Sequence, residues 1–417
     1  MPSPGPRATA PGSSHTDSSR VRISRRTALA SLGTALTGAL AGCNALGGGS
    51  DTGVFHDGDW RSYGNGPTNT NRVAGGAPEP GGHQVLEPRT WAYAPPVVHD
   101  GVAYFSTDQR VVALATDGTR QWSRTLDSEA FGVPAIDPDR GRLYVPTIGE
   151  EPAVGTDTEP ATLTALSLAD GSVLDTQRVG DERTYGVTVV DGDVYARSAT
   201  TCVRLAPDGT ERWRRSLDPL VYDEFNLGDE TATQIAPAVT ADGVYVPDRD
   251  ALVRLDRETG EEQWRVAVET AYAASVVDDG GVVQTGWREV VAASPDGSVR
   301  WRRDLHSRAA AAAAGGDVYV AAGDLHELDG ATGETNWQVH LPSEGTAAPV
   351  VTDDSVLVAT GNVHAFRRET EGLFGPDRTR WETSAGYASE YASPVVAAGR
   401  VFVVGLSGLQ AFYADGA

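Results

Sequence analysis

Residues 256–264 read Asp256-Arg257-Glu258-Thr259-Gly260-Glu261-Glu262-Gln263-Trp264, and Asp329, Thr332, Gly333 and Trp337 repeat that spacing. The step of four from glycine to tryptophan recurs at Gly118/Trp122, Gly209/Trp213 and Gly297/Trp301, where Asp-Gly replaces Thr-Gly and the unit is one residue shorter. Moving outward from Trp264, the apolar stretch Leu252-Val253-Arg254-Leu255 comes first, then Val244-Tyr245-Val246, then the turn Asp242-Gly243. Two apolar runs across an Asp-Gly pair are a hairpin signal. A further strand, led by proline or a small residue, precedes each hairpin. Its leading positions lie near Pro96, Pro134, Thr188, Pro237, Ser275, Ala311, Pro349 and Pro394.

Eight leading positions predict eight units. From Trp91 to Trp381 the tryptophan column advances by about 41 residues per copy, room for four short strands. The fold class expected is therefore all-β: an eight-bladed β-propeller of four-stranded antiparallel blades over residues 59–417. The second copy has Asp175 where its tryptophan belongs, and Trp381 ends a longer loop. The chain stops at Asp415-Gly416-Ala417, before an eighth outer strand, while Trp91 and its surroundings offer an outer strand with no earlier strands. The N-terminal segment should complete the last blade, which removes an exposed sheet edge. A flat indole at a fixed place on each blade fills the gap to its neighbour, burying about 150–250 Å². Trp91, Trp122, Trp213, Trp264, Trp301, Trp337 and Trp381 are thus read as structural docking residues, not as a cofactor box.

Composition narrows the function classes. All 34 basic residues are arginine, which excludes chemistry that needs lysine, such as a P-loop or Schiff-base catalysis. A formal charge of −23 argues against nucleic acid, which selects basic surfaces. Strong acidity without lysine fits a halophilic protein, in which salt screens self-repulsion. The two cysteines, Cys43 and Cys202, make neither a disulfide framework nor an all-cysteine zinc site.

Residues 1–42 have the layout of an export leader: a polar start, Arg25-Arg26, an uncharged stretch from Thr27, and Leu40-Ala41-Gly42 before Cys43. The apolar run is too short for a comfortable membrane span. The arginine pair resembles the twin-arginine export signal, and the ending resembles a lipobox whose cysteine carries the lipid. The expected product is anchored through Cys43 to the outer face of the cytoplasmic membrane, with residues 43–58 as a flexible tether.

The repeated unit resembles the tryptophan-docking motif of the PQQ-like (quinoprotein) propeller repeats, A-x-D-x-x-T-G-x-x-x-W, with Arg254 and Glu327 in place of the leading alanine in two copies. Asp59-Trp60 followed by Pro67 and Asn69 is similar to the segment that opens these proteins. The resemblance covers residues 59–417. Its PQQ-dependent alcohol dehydrogenases carry an adjacent cysteine pair beside the quinone together with calcium ligands, and this chain has no such pair. The likeness runs closer to non-enzymatic propeller lipoproteins, such as the one in the outer-membrane barrel-assembly machinery. It implies no enzyme activity and no cofactor, neither PQQ nor calcium.

No nucleophile elbow, zincin motif or dinucleotide fingerprint occurs, so no catalytic or metal-binding residues are expected. His326 and His364 share a third-strand position in two copies but lack accompanying carboxylates. Three residues before the leading positions stand Tyr93, Phe131, Tyr185, Tyr272 and Tyr391, which would ring one mouth of the central channel. Insertions at 147–160 and 218–233 fall on that face and bring nine acidic residues, no basic ones, and Tyr222 and Phe225. Aromatics among carboxylates suit a basic protein segment or a cationic ligand. The reading is a monomeric, lipid-anchored scaffold with a protein partner in the envelope. Binding of a small ligand or sugar, and a quinoprotein dehydrogenase, are the alternatives.

Overall fold

A computed structural model of the chain describes residues 58–415 apart from 89–91, 93, 149–159, 221–233, 272, 344–346, 370–376, 384–391 and 406. The expected leader, Cys43, and the expected site residues Trp91, Tyr93, Tyr222, Phe225, Tyr272 and Tyr391 lie outside the described residues.

The strands form eight antiparallel sheets that follow one another along the chain. Blades one to seven occupy residues 97–125, 129–181, 184–216, 238–267, 276–304, 312–340 and 350–382, each running from its innermost to its outermost strand. Blade two has its inner edge split between Glu129–Ala130 and Ala135–Asp137, both paired with Arg142–Ile148. Blade eight takes Val395–Ala397, Arg400–Gly405 and Gly408–Tyr413 from the C-terminal end. Its outer strand is Gly82–Pro88, antiparallel to Gly408–Tyr413 with Gly82 opposite Tyr413. The N-terminal strand closes the ring.

Burial explains the sequence texture. The second strand of a blade is covered by blades on both sides, so Gly243–Asp248 and Asp193–Ser198 are buried throughout and do not alternate. Outer strands are covered on one face only. Glu211–Ser216 therefore buries Trp213 and leaves most of its other residues partly or fully exposed. Two Asp-Gly pairs, Asp100-Gly101 and Asp191-Gly192, have positive φ at both residues, the geometry of a turn that follows strand twist, whereas Asp242-Gly243 has it at neither.

Inner strands begin one residue after seven of the eight leading positions, at Val97, Ala135, Ala238, Val276, Ala312, Val350 and Val395. The third differs. Its inner strand starts at Thr184, four residues before Thr188, because only Glu182 and Arg183 separate it from the long outer strand Val173–Asp181 of blade two.

Candidate functional site

The repeated motif is built for the junction between blades. Asp256 Oδ1 accepts from the Glu258 and Thr259 N–H groups (2.9 and 2.8 Å) and from Thr259 Oγ1 (3.1 Å). Asp329 does the same with Ala331 and Thr332. In the short form Asp117 and Asp208 each accept one such bond, from the Thr119 and Thr210 N–H groups, and Asp296 accepts two, from the Ser298 N–H and hydroxyl. Backbone hydrogen bonds hold the Asp256, Asp329, Asp117 and Asp208 carboxyls below the usual range; for Asp296 the Ser298 hydroxyl leads and its N–H follows.

The glycine and the tryptophan of one copy serve different junctions. A Cβ on Gly260 would come within 2.7 Å of the Trp213 ring of the preceding blade, and Gly171, Gly297 and Gly333 face Trp122, Trp264 and Trp301 in the same way. Each of these indoles donates to a turn carbonyl of the next blade: Trp122 to Leu168, Trp213 to Arg257, Trp264 to Pro295 and Trp301 to Gly330, all at 2.8–2.9 Å. The residue opposite each indole on the third strand is the motif's leading position, as in Ala113↔Trp122 and Ala292↔Trp301. Where it is Arg204 or Arg254, the guanidinium lies over Tyr195 or Tyr245 of the adjacent strand.

Blade eight corrects one expectation. The place opposite Ala411 belongs to Gln84, not Trp91, and Gln84 Nε2 donates to Asp117 O at 2.8 Å as an indole would. Spacing carries the reason. Trp264 to Val276, Trp301 to Ala312 and Trp337 to Val350 are steps of 12, 11 and 13 residues; Gln84 to Val97 is 13 and Trp91 to Val97 only 6.

Residues 58–73 occupy the axis. Their backbone bonds to the innermost strands in rotation. Gly58 O accepts from Ala398 N in blade eight, and Trp60 pairs with Val98 in blade one. Arg61 O accepts from Ile136, Pro67 O from Val239, Thr68 O from Val277, Thr70 O from Ala313 and Asn71 O from Val351, at 2.6–2.9 Å. Seven blades are thus bonded. Asn71 N donates to Gly64 O and closes the turn on itself.

The residue types follow from this path. Asn65, Asn69 and Asn71 hold φ of 57°, 58° and 53°, the left-handed region asparagine tolerates. Gly64 abuts the Asn69 backbone with no space for a Cβ. Asn69 Nδ2 reaches Ala236 O and Ser275 O in the channel wall. Burial pushes the Asp59 carboxyl up, but bonds from His99 (2.6 Å), Arg61 (2.7 Å) and Asp100 N–H hold it below the usual range. On the opposite side of these strands, Ser393 Oγ of blade eight donates to Gln234 Oε1, on the approach to blade four, at 3.0 Å. Blades four and eight are diametrically placed, so this bond crosses the channel.

A family model described as outer membrane protein assembly factor BamB matches residues 82–205, 190–294 and 287–373. The chain belongs to that PQQ-like β-propeller repeat family. Among solved structures, BamB from Moraxella catarrhalis superposes with a TM-score of 0.63 at 15% identity, over 82% of this chain and 99% of that one. The quinohemoprotein alcohol dehydrogenase of Comamonas testosteroni gives 0.63 at 15% identity, over 85% and 80%. The serine/threonine-protein kinase AfsK of Streptomyces griseus is 30% identical over 175 residues, 37% of this chain and 21% of the kinase. The chain thus spans about a fifth of that curated relative, and the likenesses to solved structures are likenesses of fold.

Within this PQQ-like ring, Phe131 and Tyr185 are 5% and 6% exposed and belong to the central apolar cluster, with Arg183 over the Phe131 ring at 5.0 Å. Trp381 is buried and Trp337 partly buried, and neither indole N–H has an acceptor among the described residues. Residues 370–376, between the third and fourth strands of blade seven, lie outside the described residues, and the two outer strands beyond Trp381 come from opposite ends of the chain. His326 and His364 lie in separate blades, and burial lowers the pKa of both. Cys202 is buried in blade three, its thiol pushed up to about 12 by desolvation. No group of three or more metal-ligating side chains occurs among the described residues. Asn65, Asn71 and Gln84 are the residues that the sequence motifs did not single out; the spacing to the next inner strand was the signal for Gln84.

Proposed function

We propose that this chain is an exported, lipid-anchored propeller acting as a protein-interaction scaffold in the cell envelope. The observation that carries the reading is the occupied axis: residues 58–73 and the Gln234–Ser393 bond take up the space where a ring of this kind would hold a small molecule. Recognition then falls to the faces and the outer edges. Membership in a family named for an assembly factor supports this, as does the leader ending in Leu40-Ala41-Gly42-Cys43. The residues do not fit a quinone site of the dehydrogenase type: the chain has two cysteines, 159 positions apart, and the one described is buried alone in blade three. Acidic insertions with Tyr222 and Phe225 favour a basic partner segment.

The test is affinity capture from membranes of the native host with the tagged full chain, beside PQQ and calcium titration of the purified protein. Enrichment of one envelope protein and no quinone binding are expected. Stoichiometric PQQ binding with dye-linked dehydrogenase activity overturns the reading. Cys43→Ser tests the anchor separately, since unchanged membrane retention of normally processed protein would contradict lipidation.

A further inference from the structure

The junction between blades two and three lacks its indole. Asp175 stands opposite Ala165, the register place of the tryptophans, and the Gln177 amide lies against Gly209 where other blades lay a ring. The turn carbonyl of Pro207, counterpart of the one Trp264 reaches at Pro295, is taken instead by Arg142 Nη1 at 3.0 Å. Tyr144 occupies the column of Tyr104, Tyr195 and Tyr245, whose rings lie 5.8–6.2 Å from their indoles, and has no ring partner among the described residues.

What is left is a crevice walled by Tyr144, Leu163, Ala165 and Gly209, with Asp175 and Gln177 at its rim. The void is only about 20 Å³, water-sized, because these two side chains fill the rest. On the exposed rim Gln177 Nε2 donates to Asp175 Oδ2 at 2.8 Å and Thr176 N–H to Asp175 Oδ1 at 2.9 Å, so two solvent-exposed hydrogen bonds hold the filling in place. Beside the crevice, Val173 and Leu174 are 50% and 48% exposed, the most exposed large hydrophobics among the described residues. They begin the nine-residue outer strand Val173–Asp181, which has no strand on its far edge; towards its end Val179 O accepts from Thr201 Oγ1 and Arg214 Nη1 of blade three, both at 2.7 Å.

We infer that this vacated tryptophan seat is a docking site for one aromatic side chain, indole first, carried on an extended segment of a partner protein that adds to the outer edge of this strand over residues 173–178. The fold names its own occupant. At four other junctions the same glycine and the same column of residues receive an indole. Edge addition supplies main-chain hydrogen bonds while a side-chain pocket supplies selectivity, and an aromatic anchor in a small pocket is the usual energetic centre of such contacts. The apolar pair at 173–174 would be covered by the flank of the incoming strand.

The inference rests on the scaffold reading, and the experiment separates the two. The probe is a capped pentapeptide, Ser-Thr-Trp-Thr-Ser, with its alanine counterpart as control, titrated calorimetrically into the leaderless chain. The tryptophan peptide should bind at least tenfold more tightly than the alanine peptide, the scale of an aromatic pair plus burial. Gln177→Ala, which opens the seat, should tighten binding severalfold. Asp175→Trp, which fills it from within, should raise the melting temperature and weaken binding at least tenfold. Leu174→Asp lies on the surface and serves if Asp175→Trp fails to fold; it too should weaken binding. Equal binding of the two peptides, or wild-type affinity in folded Asp175→Trp or Leu174→Asp, overturns the seat. If those proteins still capture the envelope partner, the scaffold reading stands without it. A wild-type chain that binds the peptide yet captures nothing from membranes keeps the seat and loses the scaffold.

Discussion

If Gly260 is glycine because of Trp213 in the preceding blade, the two positions must be energetically coupled, and Gly260 must not be coupled to Trp264 of its own repeat. Gly260→Ala places a Cβ at 2.7 Å from the Trp213 ring on a backbone with φ of +72°. The left-handed backbone costs about 1–2 kcal/mol for an L-residue, and forcing a methyl into a packed contact about 1–3 more. Trp213→Ala removes a largely buried ring and a 2.9 Å bond to Arg257 O, a loss of about 3–5 kcal/mol. In the double variant the clash has no partner, so only the backbone term of Gly260→Ala remains. The double should therefore be about 1–3 kcal/mol more stable than the sum of the singles predicts. Gly260→Ala with Trp264→Ala, whose ring faces Gly297, should add within about 0.5 kcal/mol. Equilibrium urea unfolding of the chain from residue 43 in molar salt measures all five variants. Additivity for Gly260 with Trp213, or coupling for Gly260 with Trp264, refutes the cross-blade account of the motif.

Starting the chain at residue 58 keeps the axial bonds, whereas starting it at residue 82 keeps the closing strand and loses the bonds to seven blades; the second protein should melt well below the first, and equal melting temperatures would deny the axial segment its role. The turn aspartates have pKa values depressed in the fold, so their contribution is full above about pH 4, the unfolded value, and drains away as pH falls through the lower folded values. Melting temperature should drop steeply between pH 4 and about pH 2 and less so in Asp256→Asn with Asp329→Asn; an unchanged acid profile in that variant contradicts the assignment. With a formal charge of −23, raising salt from about 0.1 M, where the Debye length is near 10 Å, to molar levels should raise the melting temperature; a flat response removes the main support for a halophilic protein.

The blade count and the order of strands were legible in the chain because blades one to seven are local, each built from consecutive strands whose turns carry their own chemistry in Asp-Gly and Asp-x-x-Thr-Gly; the closure by an N-terminal strand was legible because the last repeat lacks an outer strand of its own. Seven inner strands begin one residue after positions that pattern alone picks out. What only the tertiary structure decided lies between blades. No periodicity reveals that Gly260 answers Trp213 and not Trp264, since the contact is made by a neighbour one repeat earlier. Nor could composition show that Gln84 stands in for an indole, or that Arg142 and Gln177 replace the tryptophan missing at Asp175; amide and guanidinium donors reach the same carbonyls with different lengths. The path of residues 58–73 around the axis is the most non-local feature of all. Its backbone satisfies the inner edges of seven different sheets, and those edges come together only once the ring has closed.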